Sequence, residues 1–139
     1  MTDAELREIF SQTKVIAVVG FSANPTRPAH EVAAWLQGRG YRVIPVNPGL
    51  AGQTYLGEVV YADLAAIPRE IAVDMVDIFR TPAAVPGIVE QVLTARAEVK
   101  TLWMQLGVVH EPAAQDARAA GKRVVMDRCP KIEMPRLGI

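Results

Sequence analysis

The chain has 139 residues, half of them hydrophobic, enough for a single domain that buries roughly 70% of the surface its unfolded form exposes. Fifteen basic and fifteen acidic residues cancel, which excludes nucleic acid held by a broad basic face. The single cysteine, Cys129, excludes an intramolecular disulfide and a cysteine-rich zinc site, and no apolar run approaches the ~20 residues that span a bilayer.

The opening residues, MTDAELREIF, carry acids where a signal peptide needs a basic region, so the expectation is a soluble protein of the reducing cytoplasm. Thr2 or Asp3 caps a short helix through Phe10, with Leu6, Ile9 and Phe10 at helical spacing to cover one end of the core. Val15, Ile16, Val18 and Val19 then suit a strand buried on both faces, which breaks at Gly20. Pro28 suits the first turn of a helix, in which Val32, Trp35 and Leu36 share a face and Gly38 and Gly40 supply stop signals.

Arg42 to Val46 predicts a second strand, and Asn47, Pro48, Gly49 and Gly52 form a loop that cannot continue it. Glu58 to Tyr61 is expected as a short third strand, and Asp63 as the cap of one or two helical turns ending at Pro68. Val73 to Phe79 gives a stronger strand, and Pro82 opens a helix with Val85, Ile88, Val89, Val92 and Leu93 on one face. Thr101 to Leu106 is the next strand, Glu111 to Ala120 an alanine-rich helix, and Arg123 to Met126 a last strand before a tail from Asp127 to Ile139 that reads as loop.

This alternation, without repeat or linker, predicts one three-layer α/β domain over residues 1–139 with a mainly parallel, Rossmann-like sheet. Such winding places the third and second strands on one side of the first, and the later strands on the other. Open parallel sheets bind ligands beyond the carboxyl ends of their strands, where the winding reverses. The loops there are Gly20 to Pro28, Asn47 to Gly57, Phe79 to Pro82, Leu106 to Pro112 and Asp127 onward.

In the first of these loops a helix start presents N–H groups and a positive dipole end, which suits a phosphate-bearing ligand. Against the dinucleotide fingerprint G-x-G-x-x-G the loop reads Gly20, Phe21, Ser22, Ala23, Asn24, Pro25, keeping only the first glycine. Ser22 offers a hydroxyl and Arg27 a planar fork of donors. NAD sites place a carboxylate at the end of the second strand; here Val46 is followed by Asn47 and Pro48, which counts against NAD. Arg42, a conceivable partner for a 2′-phosphate, starts that strand and so lies away from the site.

The loop also lacks the second glycine of a G-x-S-x-G nucleophile elbow. His30 is expected at the surface or as a cap, and His110 at the start of a helix; neither has metal-site spacing. Asp74 and Asp77, three apart in a strand, face opposite ways, and Asp77 is expected to be buried and hydrogen-bonded near the ligand edge. Cys129 reads as a packed or loop-forming thiol, although Arg128 and Lys131 beside it favour a thiolate. Trp103 reads as core, whereas Gln105 is a polar exception placed to reach a ligand or tie two loops together.

The stretches VIAVVGFSANPTRPAHEVAAWL, GYRVIPVNP, VDIFRTPAAVP, LWMQLGV and VVMDRCPKIE resemble the small CoA-binding proteins of the YccU type. They are also similar to the CoA-binding domain of the succinyl-CoA synthetase α subunit, a Rossmann-type fold. The resemblance covers roughly Val15 to Leu137. It implies that Gly20, Phe21, Ser22, Ala23, Asn24, Arg27 and Pro28 hold the phosphates of coenzyme A or an acyl-CoA. It places Val46, Asn47 and Pro48 at the adenosine end, and Phe79, Arg80 and Pro82 on the flank. Gln105, Gly107, Cys129 and Pro130 would line the far side. Ala29 and His30 stand where the family often has Ser then Tyr, so a hydroxyl contact at 29 is lost.

The synthetase's phosphorylated histidine belongs to a second domain for which this chain has no residues, and neither His30 nor His110 matches it. The resulting expectation is CoA or acyl-CoA binding without intrinsic catalysis, and without nucleic acid or membrane partners. A small NAD(P)-linked oxidoreductase and a CoA-responsive regulatory module are the alternatives.

Overall fold

Runs of Val, Ile and Met with no polar alternation need cover on both faces, as in a parallel sheet between helix layers. The computed structural model, which describes residues 1–139, pairs five short, largely apolar strands in this way. They are β1 (Val15–Val19), β2 (Arg42–Val46), β5 (Met75–Ile78), β6 (Thr101–Met104) and β7 (Arg123–Val125), in the order β2-β1-β5-β6-β7. All four pairings are parallel. Helices α1 (Asp3–Gln12), α2 (Pro28–Gly38) and α5 (Pro130–Arg136) pack on one face, and α3 (Val85–Ala95) and α4 (Glu111–Ala119) on the other.

The register fixes where the loops emerge. Val19 lies beside Val46 on one flank and Ile78 on the other, and Ile78 lies beside Met104. Gly20, Asn47, Phe79 and Gln105 therefore leave the sheet at one level. The chain winds outward from β1 to β2 and then returns to β5 on the opposite side of β1, so the reversal falls between β1 and β5, as the Rossmann-like reading requires.

Local chemistry accounts for the helix ends. The Thr2 hydroxyl accepts from Glu5 N at 3.1 Å, and the Glu5 carboxylate reaches back to the Thr2 N–H to complete a capping box at α1. Pro28 occupies the first turn of α2, where its missing N–H costs nothing. His110 caps α4 by accepting from Ala113 N at 3.1 Å through Nδ1. Asp74 joins the start of β1 to β5 by accepting from Lys14 N and Val15 N, both at 2.9 Å.

The fold departs from the sequence reading in four places. Glu58 to Tyr61 is not a third strand of the main sheet. Residues Glu58–Val59 (β4) pair antiparallel with Thr54–Tyr55 (β3), and only an isolated bridge between Val46 and Tyr61 touches β2. The turn between them has positive φ at both central residues, Leu56 at 54° and Gly57 at 73°, the geometry that closes a tight hairpin. Asp63 to Pro68 forms turns instead of helix, with Asp63 Oδ1 accepting from Ala66 N at 2.9 Å. Leu93 is on the exposed side of α3, while Val85, Ile88, Val89 and Val92 are buried. The tail contains α5, begun by Pro130 and closed before Gly138 at φ 74°.

Candidate functional site

At the level where the strands end, the loops enclose a crevice of about 1010 Å³, at the upper end of the range for small-molecule sites. Its first wall is the β1–α2 loop. Gly20 turns at φ +87°, and a Cβ there would lie 2.2 Å from the Phe79 carbonyl oxygen. Glycine is thus required because two backbones meet, which explains why this one glycine of the fingerprint is present.

The remainder of the loop is held by its own polar groups. Asn24 N donates to Ser22 Oγ at 3.1 Å, and Asn24 Oδ1 accepts from Thr26 N at 3.0 Å. His30 Nδ1–H donates to the Ser22 carbonyl at 2.8 Å, and its ring lies 5.1 Å from that of Phe21. His30 is therefore a loop support on the first turn of α2, in place of the surface or capping residue expected. Nothing in the sequence signals this, because the contact depends on the loop folding back over eight residues.

Asn47 ties the second loop to the first. Its Nδ2 donates to Phe21 O at 2.7 Å and its Oδ1 accepts from Gly49 N at 2.8 Å. A similar tie joins the far loops, where Asp127 Oδ1 accepts from Gly107 N at 2.7 Å. Asp127 itself adopts φ 57°, a conformation that aspartate tolerates better than most residues. Trp103 Nε1 donates to Arg128 O at 2.7 Å, pinning the turn that leads to Cys129.

Against this satisfied framework, the free donors stand out. The backbone N–H groups of Ser22, Ala23 and Ala29 have no acceptor in the protein, and all three residues line the crevice. Arg27 and Arg80 line it as well, and neither guanidinium makes a hydrogen bond or ion pair. No aspartate or glutamate lines the crevice, so its local charge is positive. Three free amides, a helix start and two unneutralised guanidinium groups suit a polyanion with several separate oxygens.

The predicted residues Gly20, Phe21, Ser22, Ala23, Arg27 and Pro28 are brought together here. So are Asn47, Phe79, Arg80, Pro82, Gln105, Gly107 and Cys129. Four others are not in its lining. Asn24 is spent on the loop's turn, Val46 is buried within the sheet, Pro48 opens a 3₁₀ turn, and Pro130 is buried at the start of α5. The sequence reading missed Ala29, Val32, Gly49 and Leu50 at one end, and Thr81, Leu106 and Val108 at the other. Apolar spacing signalled Val32, but as core.

Beneath the crevice lies Asp77, fully buried on β5 and opposite Val18 and Trp103. Contrary to expectation, neither of its carboxylate oxygens has a hydrogen-bond partner. Burial alone pushes its carboxyl well above the ordinary value, favouring the neutral acid. Burial also raises the Cys129 thiol, opposed by the backbone N–H groups of Lys131 and Ile132. The basic neighbours Arg128 and Lys131 do not produce the thiolate, since Arg128 is held by Glu133 and Lys131 by Glu31.

The buried acid makes stability depend on pH. Below the ordinary value of 3.8, folded and unfolded chains both hold the proton and nothing is lost. Above it the unfolded chain ionises while the folded one does not, so stability falls by about 1.4 kcal/mol per pH unit until the folded carboxyl titrates. Asp77→Asn is expected to abolish this slope, so that its stability gains on the wild type as the pH rises above 3.8. Urea midpoints measured against pH check it; parallel profiles for the two proteins would contradict it.

No helix is long and apolar enough to cross a membrane. Residues 14–135 match the model of a family described as a CoA binding domain. The chain is 40% identical over 129 residues to the uncharacterized protein YneT of Bacillus subtilis (strain 168), covering 93% of this chain and 91% of that one. The structure of cell-free ID.343 from Thermus thermophilus is similar at a TM-score of 0.91 and 41% identity, over 99% of each chain. The apo dinucleotide forming acetyl-coenzyme A synthetase 1 of Ca. Korarchaeum cryptofilum shares the fold at a TM-score of 0.65 and 24% identity, with 80% of this chain matching 25% of that one. The match runs from the residue before β1 to within the last turn of α5, and this chain belongs to the CoA binding domain family.

Proposed function

We propose that this protein, acting as one domain over residues 1–139 in the cytoplasm, binds coenzyme A or an acyl-CoA in the crevice without intrinsic catalysis. The carrying observation is the combination of free Ser22, Ala23 and Ala29 amides with the unpaired Arg27 and Arg80 side chains and no carboxylate. The phosphates lie against the β1–α2 loop, with the adenosine toward Asn47, Gly49 and Leu50. The pantetheine arm runs past Phe79 and Arg80 toward Gln105 and Cys129. Membership of a CoA binding domain family supports the ligand class.

Asn47 supports CoA over NAD. Its carboxamide is committed to Phe21 and Gly49, and it supplies no carboxylate for a ribose diol. Isothermal calorimetry with CoA, acetyl-CoA, NAD and NADP tests the reading. Heat with CoA or acetyl-CoA at concentrations where NAD and NADP give none is expected; dinucleotide binding without CoA binding would sink it.

A further inference from the structure

Two side chains under the crevice are incomplete, and they complement each other. Gln105 is 5% exposed, and its Oε1 is buried without a donor; Asp77 is 0% exposed, and both its oxygens are unpartnered. Each such group costs free energy unless something satisfies it. Asp77 pairs in register with Trp103, and Gln105 follows two residues later, with its N–H continuing the ladder to Ile78 O at 3.3 Å. Alternation puts both side chains on the α2 and α5 face, one strand over and two residues along, a diagonal of about 8 Å between Cα atoms by strand spacing and rise, within reach of a glutamine.

The two ends of Gln105 differ. Its Oε1 is shut away, whereas its Nε2, which also makes no hydrogen bond, is not among the buried atoms and so opens to the crevice. We propose that Asp77 is a positioning residue. In the ligand-bound protein its carboxyl O–H donates to Gln105 Oε1, turning the carboxamide so that Nε2–H binds a carbonyl oxygen on the arm of the ligand. The inference rests on the CoA reading above and deepens it. Pantetheine amides and an acyl thioester all offer such a carbonyl, whereas the adenosine bisphosphate end offers none.

Burial favours the neutral acid at Asp77, the form that has a proton to donate. The groups facing it are few. They comprise the Cys129 thiol at the start of α5, and Glu133 further along, bound by Arg128 and Arg136. On the same side are His30 of α2, bound to Ser22, and the part-buried Tyr41 and Tyr55, while α1 contributes Leu6, Ile9 and Phe10. Lys131 of α5 is held by Glu31 of α2, and the Arg27 and Arg80 guanidinium groups belong to the crevice above; burial is the one cause that shifts Asp77, so no cation holds it ionised.

Calorimetry with acetyl-CoA and with adenosine 3′,5′-bisphosphate separates this role from a merely structural one. Asp77→Leu and Gln105→Leu should each bind acetyl-CoA about three- to tenfold more weakly, with binding of the bisphosphate unaltered. The double variant should lose no more than either single one. Asp77→Asn, whose amide donates to the same oxygen, should recover the loss. Should Asp77→Leu fail to fold, the pH arm decides. Wild-type affinity for acetyl-CoA, relative to the bisphosphate, should fall as the pH is raised and Asp77 ionises, whereas that of Asp77→Asn should not. Equal losses for both ligands, unchanged acetyl-CoA binding in Asp77→Leu, or identical pH profiles would overturn the proposal. If the wild type binds neither ligand, the CoA reading falls, and this one with it.

Discussion

Replacing Arg27 and Arg80 together by alanine is expected to weaken CoA binding at least about 100-fold, since each charge-assisted hydrogen bond contributes roughly 1.5 to 3 kcal/mol. Neither side chain has an internal partner, so the unliganded protein loses nothing and its melting temperature should stay within about a degree. Lysine at either position keeps the charge but not the planar fork, and should recover only part of the affinity. The wild-type affinity should also fall with added salt more steeply than that of the double variant. Calorimetry and thermal melts on the same samples check both halves. Full affinity in the double variant would assign phosphate binding to the loop amides alone.

A second large effect is expected far from the crevice. Arg96, at the end of α3, is only 2% exposed, and its guanidinium organises the irregular stretch between β4 and β5. Its Nε donates to Leu64 O at 2.9 Å, and Nη1 donates to Ile71 O at 3.2 Å and Pro68 O at 3.5 Å, while Glu98 Oε2 lies 3.4 Å away. Arg96→Ala strands these carbonyls and leaves a cavity, so it should cost about 3 to 5 kcal/mol of stability. Arg96→Lys supplies the charge without the fork and should recover less than half of that. Urea denaturation gives the number, and a loss under about 1 kcal/mol would mean that water replaces the guanidinium.

Elements buried on both faces were legible because their composition alone excludes other environments. Val15–Val19 and Arg42–Val46 have the boundaries expected from the residues. The Glu58 to Tyr61 stretch was misread because strand propensity says nothing about partners. Its partner is Thr54–Tyr55, chosen by a turn in which Leu56 takes a backbone conformation that sequence would assign to glycine or asparagine. The α5 helix was hidden by Pro130 and Pro135, two prolines in a short segment, of which the first starts the helix and the second lies inside it.

At the crevice, residue types such as Arg27 and Arg80 were visible, but their value lies in having no partner, and that is decided by tertiary structure. Asn47 shows the converse. Its side chain sits where a ligand contact was expected, yet it is spent on holding two loops together. The unsatisfied Asp77 could not be anticipated, because burial in a sequence pattern implies satisfaction and this carboxyl violates the rule.

The β3–β4 hairpin bears on how the protein behaves at high concentration. A formal net charge of +0 removes the long-range repulsion that keeps many domains apart in solution. Under those conditions an open sheet edge is a template on which further chains add. One edge, β2, has the hairpin beside it through the Val46–Tyr61 bridge and the Arg42–Glu58 ion pair at 2.8 Å. The opposite edge, β7, is three residues long. The small hairpin, which forms no part of the ligand crevice, thus shields the longer edge, and loosening it by Glu58→Lys is expected to expose that edge to other copies of the chain.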